Sequence, residues 1–353
     1  MRTPQHLYIH VPFCASKCRY CAFYSVANAP PDFIAEYPRL LRRELELRKL
    51  SAVRFKTIYI GGGTPSLPGA ALLDAIPRAP ESELTLECNP ADITPAFADA
   101  IAARGVTRVS IGAQSFDDET LRFLGRRHDS AATPVAVSAL RRAGIGNISL
   151  DLIAAVPGCG KFMQSLERAV ALAPGHISAY PLSVEPGSQF HGLGIAPVSD
   201  DIMMDELATA ENFLAEHGYE RYEISNYCKS ETCKCRHNLA VWRGEDYAAA
   251  GPSAASRIGL ERRTNAPDAQ AWAESLRNGL LPAGKTETLT PEEDEKERFI
   301  TRLRLSEGIR PEGERLKICE RLTRTALMRP TRAGVYTLTQ RGREVADAIA
   351  AEF

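Results

Sequence analysis

Short apolar runs alternate with amphipathic stretches along the first half of the chain. Six runs of strand length occupy residues 7–11, 57–60, 84–88, 108–113, 147–154 and 177–182. Helical spacing of apolar positions or helix-end signals mark residues 32–50, 95–104, 130–143 and 162–172. No tight hairpin separates the runs, so the alternation predicts parallel strands joined by right-handed crossovers. The predicted fold class is α/β, with an open or partial (β/α)6 barrel similar to a TIM barrel.

The pattern changes near residue 183. An amphipathic helix is predicted over residues 200–217, closing on Gly218, and a further helix over 267–278. A segment rich in Pro, Gly and Lys at 281–285 is interpreted as a linker. Beyond it, an acidic helix start and a strand or wing before a terminal helix predict a small, mostly helical, winged-helix-like domain. We therefore divide the chain into a core (1–230), a connecting segment (231–284) and a C-terminal domain (285–353).

Composition limits the classes of partner. The formal net charge of -1 over 353 residues argues against bulk electrostatic binding to nucleic acid or to an anionic membrane. No run of about 18 apolar residues occurs, which excludes a membrane-spanning helix of the usual kind. The first residues lack the apolar segment of a signal peptide, so we expect a cytoplasmic protein. Nine cysteines in such a protein indicate metal or redox chemistry before disulfides.

The densest cysteine cluster follows the first apolar run. Cys14, Cys18 and Cys21 form a CxxxCxxC pattern, and as thiolates they suit a soft metal or an iron-sulfur cluster. Three ligands leave one iron of a cubane cluster open, whereas a structural zinc site needs a fourth ligand. A zinc site could be completed by residues far along the chain: Cys233, Cys235 and His237. Spacing alone leaves both alternatives open.

The remaining cysteines divide into a second group and three isolated residues. Cys228, Cys233 and Cys235 could be ordinary loop thiols or hold an auxiliary cluster, and the former is favoured. The isolated residues are expected to be small buried apolar side chains: Cys88, Cys159 and Cys319.

Polar or glycine residues stand where several apolar runs end. A triple glycine, 61–63, followed by Thr64, ends the second run and lets backbone approach a ligand without an intervening Cβ. Glu87, Gln114 and Asp151 interrupt or end later runs. One such residue is often only structural, but ligands bind at the carboxyl ends of strands in parallel barrels, so several together favour a site.

The CxxxCxYC loop after a strand resembles the cluster-binding loop of the radical S-adenosylmethionine (SAM) superfamily. Nearly the whole chain is similar to one branch of it, the haem chaperone branch of the oxygen-independent coproporphyrinogen III oxidase-like family. The resembling stretches are residues 7–12, 60–66, 87–90, 110–117, 124–128, 147–153, 176–186, 219–227 and 235–238. The resemblance implies a radical SAM core, a HemN-type C-terminal domain, a 4Fe-4S cluster and SAM. In this superfamily SAM chelates the open iron. The reduced cluster then passes an electron to SAM, which releases a 5'-deoxyadenosyl radical.

The resemblance also assigns residues. It implies Cys14, Cys18 and Cys21 as cluster ligands. Its SAM-contacting positions fall on Tyr8, Gly62, Gly63, Thr64, Glu87, Gln114, Arg126 and Asp151. These types are apt, because glycine backbone and carboxylates can meet an ammonium or ribose, and arginine can pair with a carboxylate. It identifies no catalytic residue.

Haem is implied by the chaperone branch, whose HNxxYW motif corresponds here to residues 237–242. Val241 replaces the tyrosine, while His237 and Trp242 remain, so His237 is a candidate haem contact or a hydrogen-bonded loop histidine. The true oxidase usually carries a further cysteine where this chain has Phe23, and it has a longer amino-terminal extension. Both differences favour the chaperone branch.

The leading hypothesis is therefore a protein that binds a cluster, SAM and haem, and passes haem to acceptor haemoproteins. The alternative is a catalytic radical SAM enzyme, either a coproporphyrinogen III oxidase or a methyltransferase-like enzyme. A third class is a zinc-stabilised binding module that uses both cysteine groups. The resemblance further implies an electron donor such as a flavodoxin or ferredoxin, and it leaves a homodimer open.

Overall fold

The computed structural model describes residues 3–332 and 334–353. Its strands are β1 (His6–Val11), β2 (Phe13–Cys14), β3 (Val26–Ala27), β4 (Thr57–Gly62), β5 (Glu83–Cys88), β6 (Arg108–Gln114), β7 (Asn147–Ala154), β8 (His176–Pro181), β9 (Glu220–Arg221), β10 (Asn226–Cys228), β11 (Tyr247–Ala250), β12 (Ala255–Ile258), β13 (Glu261–Asn265), β14 (Gly284–Thr288), β15 (Met328–Arg332) and β16 (Val335–Leu338). Its helices are α1 (Pro31–Leu47), α2 (Pro95–Ala103), α3 (Asp118–Leu124), α4 (Ala132–Arg142), α5 (Phe162–Ala171), α6 (Gln189–Gly192), α7 (Asp200–Glu216), α8 (Arg236–Trp242), α9 (Ala269–Arg277), α10 (Pro291–Arg302), α11 (Gly313–Arg324), α12 (Gln340–Glu344) and α13 (Ala346–Ala350).

A parallel sheet of six strands forms the centre of the fold. Strands β1, β4, β5, β6, β7 and β8 are neighbours in chain order and all pair in parallel. α-Helices lie between consecutive members, except that the connection from β4 to β5 holds only a short 3-10 helix, Ala70–Ala75. The apolar side chains of the strands are buried in one large core, which Leu7, Ile58 and Leu150 illustrate. The predicted α/β class and partial (β/α)6 TIM-like barrel are thus confirmed.

Local signals fixed several helix ends. Thr94 caps α2 through a hydrogen bond from Phe97 N, with Pro95 at the first helical position. Gly125 takes the left-handed conformation (φ 76°) that closes α3 and turns the chain toward Arg126. Pro31 occupies the first position of α1, and Pro38 lies inside that helix.

The sheet extends beyond the barrel at both edges. β10 and β9 continue it antiparallel next to β8, while β11 pairs in parallel with β1 and leads into β12, β13 and β14. β14 begins at Gly284, within the segment interpreted as a linker, and pairs with β13. All five of its residues are exposed, so no apolar alternation marked it as a strand. The main sheet therefore continues to Thr288.

The C-terminal residues have an apolar core of their own. Ile224, which precedes β10 in the main sheet, packs against this core. The core residues are Leu303, Ile309, Cys319, Leu322, Met328, Leu338 and Ile349. β15 and β16 form an antiparallel hairpin, followed by the short helices α12 and α13. The structure thus has the predicted helices with a strand or wing, and the division into three domains stays a prediction. Within residues 3–332 and 334–353, no helix is both long enough and apolar enough to span a bilayer.

Candidate functional site

The three cysteines of the CxxxCxxC pattern lie on the loop that leaves the carboxyl end of β1. Cys14 ends β2, which pairs with β3, and Cys21 N donates to Cys18 O at 3.2 Å. A hydrogen bond of 3.1 Å from Arg19 N to Leu124 O holds the loop against α3. All three cysteines are partly buried free thiols, and burial raises the pKa of Cys14 and Cys21.

Hydrogen-bond donors from other elements reach two of these thiols. Thr64 Oγ1 lies 3.8 Å from Cys14 Sγ, and Arg126 Nη1 lies 3.4 Å from Cys18 Sγ. Burial opposes the charge of Arg126, but Tyr20 and Cys18 together outweigh it and raise the pKa of this guanidinium. Donors directed at sulfur stabilise the thiolate form, which is the form that ligates a metal.

The chemistry of the donor set fits a cubane cluster. Among residues 3–332 and 334–353, no group of three or more His, Cys, Asp or Glu side chains is arranged to hold one metal ion. In a cubane each thiolate ligates a different iron, so the sulfurs need not converge on one point. A partly buried loop of three thiols, with donors directed at two of them, suits such a group.

The glycine loop after β4 is joined to Glu87 on β5. Gly62 N donates to Glu87 Oε2 at 3.2 Å, and Tyr59 Oη donates to Glu87 Oε1 at 2.7 Å. A Cβ at Gly63 would lie 2.5 Å from the Phe13 carbonyl oxygen, so only glycine fits there without displacing the backbone of the cysteine loop. Burial raises the pKa of Glu87 to about 7. The glycine loop, the cysteine loop and this carboxyl group are thus neighbours.

Asp151 and Tyr8 face the interior of the barrel. Asp151 accepts hydrogen bonds from Ser110 Oγ at 2.9 Å and Ser149 Oγ at 3.2 Å, and burial raises its pKa. Tyr8 Oη donates to His10 Nδ1 at 3.1 Å, because the other ring nitrogen of His10 donates to the Tyr24 carbonyl oxygen at 2.9 Å. His10 therefore connects β1 to the far end of the cysteine loop.

Gln114 and Arg126 meet beside Gly112 at the end of β6. A Cβ at Gly112 would lie 2.9 Å from Gln114 Nε2 and 3.3 Å from Arg126 Nη2. Gln114 itself takes a left-handed backbone conformation, with φ of 61°. The structure places the eight residues predicted to contact SAM in the barrel interior or at its carboxyl end.

Sequence reasoning missed one residue of this group. Asn89 Oδ1 accepts from Arg126 Nη2 at 2.6 Å, and its Nδ2 lies 3.3 Å from Thr64 Oγ1. Asn89 therefore connects the two side chains that reach Cys14 and Cys18. Its position directly after β5 was the available signal, since a polar residue at a strand end lies at the barrel mouth.

His237 lies at the opposite end of the barrel. β10 runs antiparallel to β8 and ends with Cys228 opposite His176, so the chain reaches the amino ends of the parallel strands there. The ring of His237 is buried, and its Nδ1 shares a 2.9 Å hydrogen bond with Thr57 Oγ1, on the first residue of β4. Burial lowers the pKa of His237 to about 3, which keeps the ring neutral.

This topology excludes a zinc site shared by the two cysteine groups. Cys233, Cys235 and His237 are separated from the cysteine loop by the length of the barrel, so they cannot complete a site with Cys14. Cys235 is buried, and burial raises the pKa of its thiol to about 11, although the charge of Arg108 acts in the opposite direction. Sequence proximity of cysteine to histidine gave no information on which end of the barrel they occupy.

The other cysteines mostly pack as apolar side chains. Cys228 and Cys233 belong to an apolar cluster with Tyr222 and Leu239. Cys88 and Cys319 are buried as predicted. Cys159 is only partly buried, because it lies on the turn between β7 and α5 rather than within an element.

Comparisons with known proteins agree with this architecture. The sequence model described as "Radical SAM superfamily" matches residues 8–160. The "Heme chaperone HemW" of Mycobacterium tuberculosis is 34% identical to the chain over 98% of the chain and 94% of that protein. The protein of the same name from Escherichia coli K12 is 36% identical over 72% of the chain and 70% of that protein. Among solved structures, the coproporphyrinogen III oxidase HemN of Escherichia coli superimposes with a TM-score of 0.84 at 20% identity, covering 99% of this chain and 89% of that one.

The HemN match shows the common fold, and the sequence matches show the relationship. Identity above 30% extends over nearly the whole chain in the mycobacterial relative. The chain therefore belongs to the radical SAM superfamily, in the HemN-like family and its HemW branch.

Proposed function

We propose that this protein is a haem chaperone that holds a 4Fe-4S cluster through Cys14, Cys18 and Cys21 and binds SAM beside it. The observation that carries the proposal is the meeting of a three-thiol loop with polar groups from successive strands at one end of the barrel. Relatives named "Heme chaperone HemW" supply the haem part of the proposal.

Different residues around the cysteine loop would hold the cluster and SAM. Thr64 and Arg126 donate to the cysteine sulfurs and would stabilise the ligated thiolates. Gly62, Gly63 and Glu87 would receive the methionine ammonium of SAM, and Tyr8, Gln114 and Asp151 would contact other parts of the SAM molecule. A cluster held by the three thiols would act as a one-electron donor to SAM.

Haem binding and transfer complete the proposal. The partners are haem, an acceptor haemoprotein and an electron donor such as a flavodoxin or ferredoxin. His237 stays a predicted haem contact, although it is buried at the amino ends of the strands. The cytoplasmic location and the homodimer also stay predictions.

Anaerobic reconstitution tests the cofactors. The wild-type chain should take up about four irons and bind SAM, and replacing Cys18 with Ser should lower the iron content. Cys319→Ser is the matched control, since Cys319 is buried in the C-terminal core. Zinc without iron in protein purified under oxygen exclusion would contradict the cluster assignment.

Haem transfer is tested separately. Hemin titrated into the reconstituted protein should give a Soret change, and mixing with an apo-haemoprotein should move the Soret band to the acceptor. Absence of any Soret change would contradict the chaperone function. Consumption of coproporphyrinogen coupled to 5'-deoxyadenosine formation would instead support the catalytic alternative.

A further inference from the structure

The histidines differ in their ability to reach an external iron. All seven lie within the described residues. The buried ones are His6, His10, His128, His176 and His237, and the exposed ones are His191 and His217.

Of the two exposed histidines, one lies at each end of the barrel. His217 follows α7 near the amino ends of the parallel strands, and its Nδ1 bonds the Phe213 carbonyl oxygen at 2.8 Å. His191 lies in α6, after the carboxyl end of β8. Its side chain has no hydrogen-bond partner in the part of the chain that the structure covers. His191 is thus the histidine at the barrel mouth with an available ring nitrogen.

The short helix α6 is fixed against the cysteine loop. Phe190 N donates to the Arg19 carbonyl oxygen at 2.8 Å, and the rings of Phe190 and Phe123 lie 4.9 Å apart. Ser188 Oγ caps the helix by accepting from His191 N at 3.2 Å. These contacts place the His191 backbone next to the loop that bears the three thiols.

Exposed apolar side chains lie on the same side of the barrel. Leu193, just after α6, is 61% exposed, and Phe23 on the cysteine loop is 69% exposed. Ile202, in the first turn of α7, is 58% exposed. Exposed apolar side chains of this size offer contact area to the apolar face of a ligand.

Positive charge completes this surface. Lys17, Arg19 and Arg127 are exposed, and in residues 3–332 and 334–353 they form no ion pair with a carboxylate. The acidic residues at the start of α3 are held instead by Lys161, at 3.0 Å from Asp117 and 3.8 Å from Glu119. The cations beside the cysteine loop are therefore available to an external carboxylate.

We infer that haem docks on a rim surface formed by Lys17, Arg19, Phe23, His191 and Leu193, with His191 as the axial ligand of the iron. The inference rests on the proposed function and names the site for its cargo. An imidazole suits haem iron, apolar side chains suit the macrocycle, and lysine or arginine suits the propionates. The buried ring of His237, bonded to Thr57 and remote from the mouth, does not offer this combination.

The test is a hemin titration of the full chain with its cluster reconstituted under anaerobic conditions. His191→Ala should weaken hemin binding by about tenfold or more, since even outer-shell partners of a metal contribute about 10- to 100-fold. It should also shift the Soret maximum. His217→Ala is the matched control, an exposed histidine at the other end of the barrel, and should bind as the wild type does.

Metal-free protoporphyrin IX separates the axial bond from the rest of the surface. Because it has no iron, His191→Ala should bind it with wild-type affinity. Charge reversal of Arg19 to Glu should weaken both ligands. Equal hemin affinity and an unchanged Soret band in wild type and His191→Ala would overturn the inference, as would a loss in His237→Ala alone. A wild-type chain that binds no hemin would instead refute the proposed function.

Discussion

Glu87 is expected to give SAM binding a pH-dependent step near neutrality. Burial raises its pKa to about 7, whereas the carboxylate is the form that can receive the SAM ammonium. Binding should therefore strengthen as the pH rises through 7 and then level off. At pH 6 only about one tenth of the groups are ionised, so the affinity should be about tenfold below its plateau.

The same shift affects folding with the opposite sign. The folded pKa of about 7 exceeds the ordinary value of 4.5, so between these pH values the unfolded chain releases a proton that the folded chain keeps. Stability therefore falls as the pH rises through this window. The full difference corresponds to about 3 kcal/mol at about 1.4 kcal/mol per pH unit. Below pH 4.5 the penalty is absent, and above 7 it is complete.

Replacing Glu87 with Gln should remove both effects while keeping the shape of the side chain. SAM affinity of the reconstituted protein is measured by calorimetry from pH 6 to 8, and urea unfolding of wild type and variant is compared from pH 4.5 to 8. The variant should bind weakly and without pH dependence, and its stability relative to wild type should increase with pH. Tyr59→Phe removes a hydrogen-bond donor that favours the ionised form of Glu87. In this variant, SAM affinity should therefore rise at a higher pH than in the wild type. A SAM affinity that is flat with pH in the wild type would refute the reasoning.

Three further predictions concern the cluster and the core. Cys18→Ser should lower the iron content of reconstituted protein, measured with sulfide content, whereas Cys159→Ser should leave both unchanged. Asn89→Ala removes the acceptor 2.6 Å from partly buried Arg126 and should lower the free energy of unfolding by about 2 kcal/mol in urea melts. Glu44, fully buried, accepts from Arg48, Asn265, Gly251 and Trp272 at 2.8 to 2.9 Å, so Glu44→Ala should cost about 3 to 5 kcal/mol in thermal unfolding; a loss below about 1 kcal/mol would contradict this account.

Residues whose placement follows from strand direction were predictable. Parallel strands share one carboxyl end, so polar residues at the ends of apolar runs must meet there, and Gly62 and Glu87 do so. The alternation of strands and helices in the barrel was equally predictable, because apolar periodicity is a local property of the chain. Strand β14 was not predicted, because all of its side chains are exposed and it therefore has no apolar alternation.

Side-chain direction and chain return were not predictable. Asn89 could be placed at a strand end, but its contact with Arg126 depends on the turn that Gly125 makes after α3. His237 stands two residues after Cys235, yet both lie at the amino ends of the strands because β10 carries the chain back there. The zinc alternative failed on this point.

The amino-acid sequence by itself determined the order of strands and helices, the three-thiol loop and the family, because each depends on residues close together in the chain. Only the tertiary structure decided which of these groups share an end of the barrel. That outcome depends on the direction in which the chain crosses the sheet after α7, and no local pattern records that direction. For the same reason, the exposure of His191 beside the cysteine loop became visible only in the folded chain.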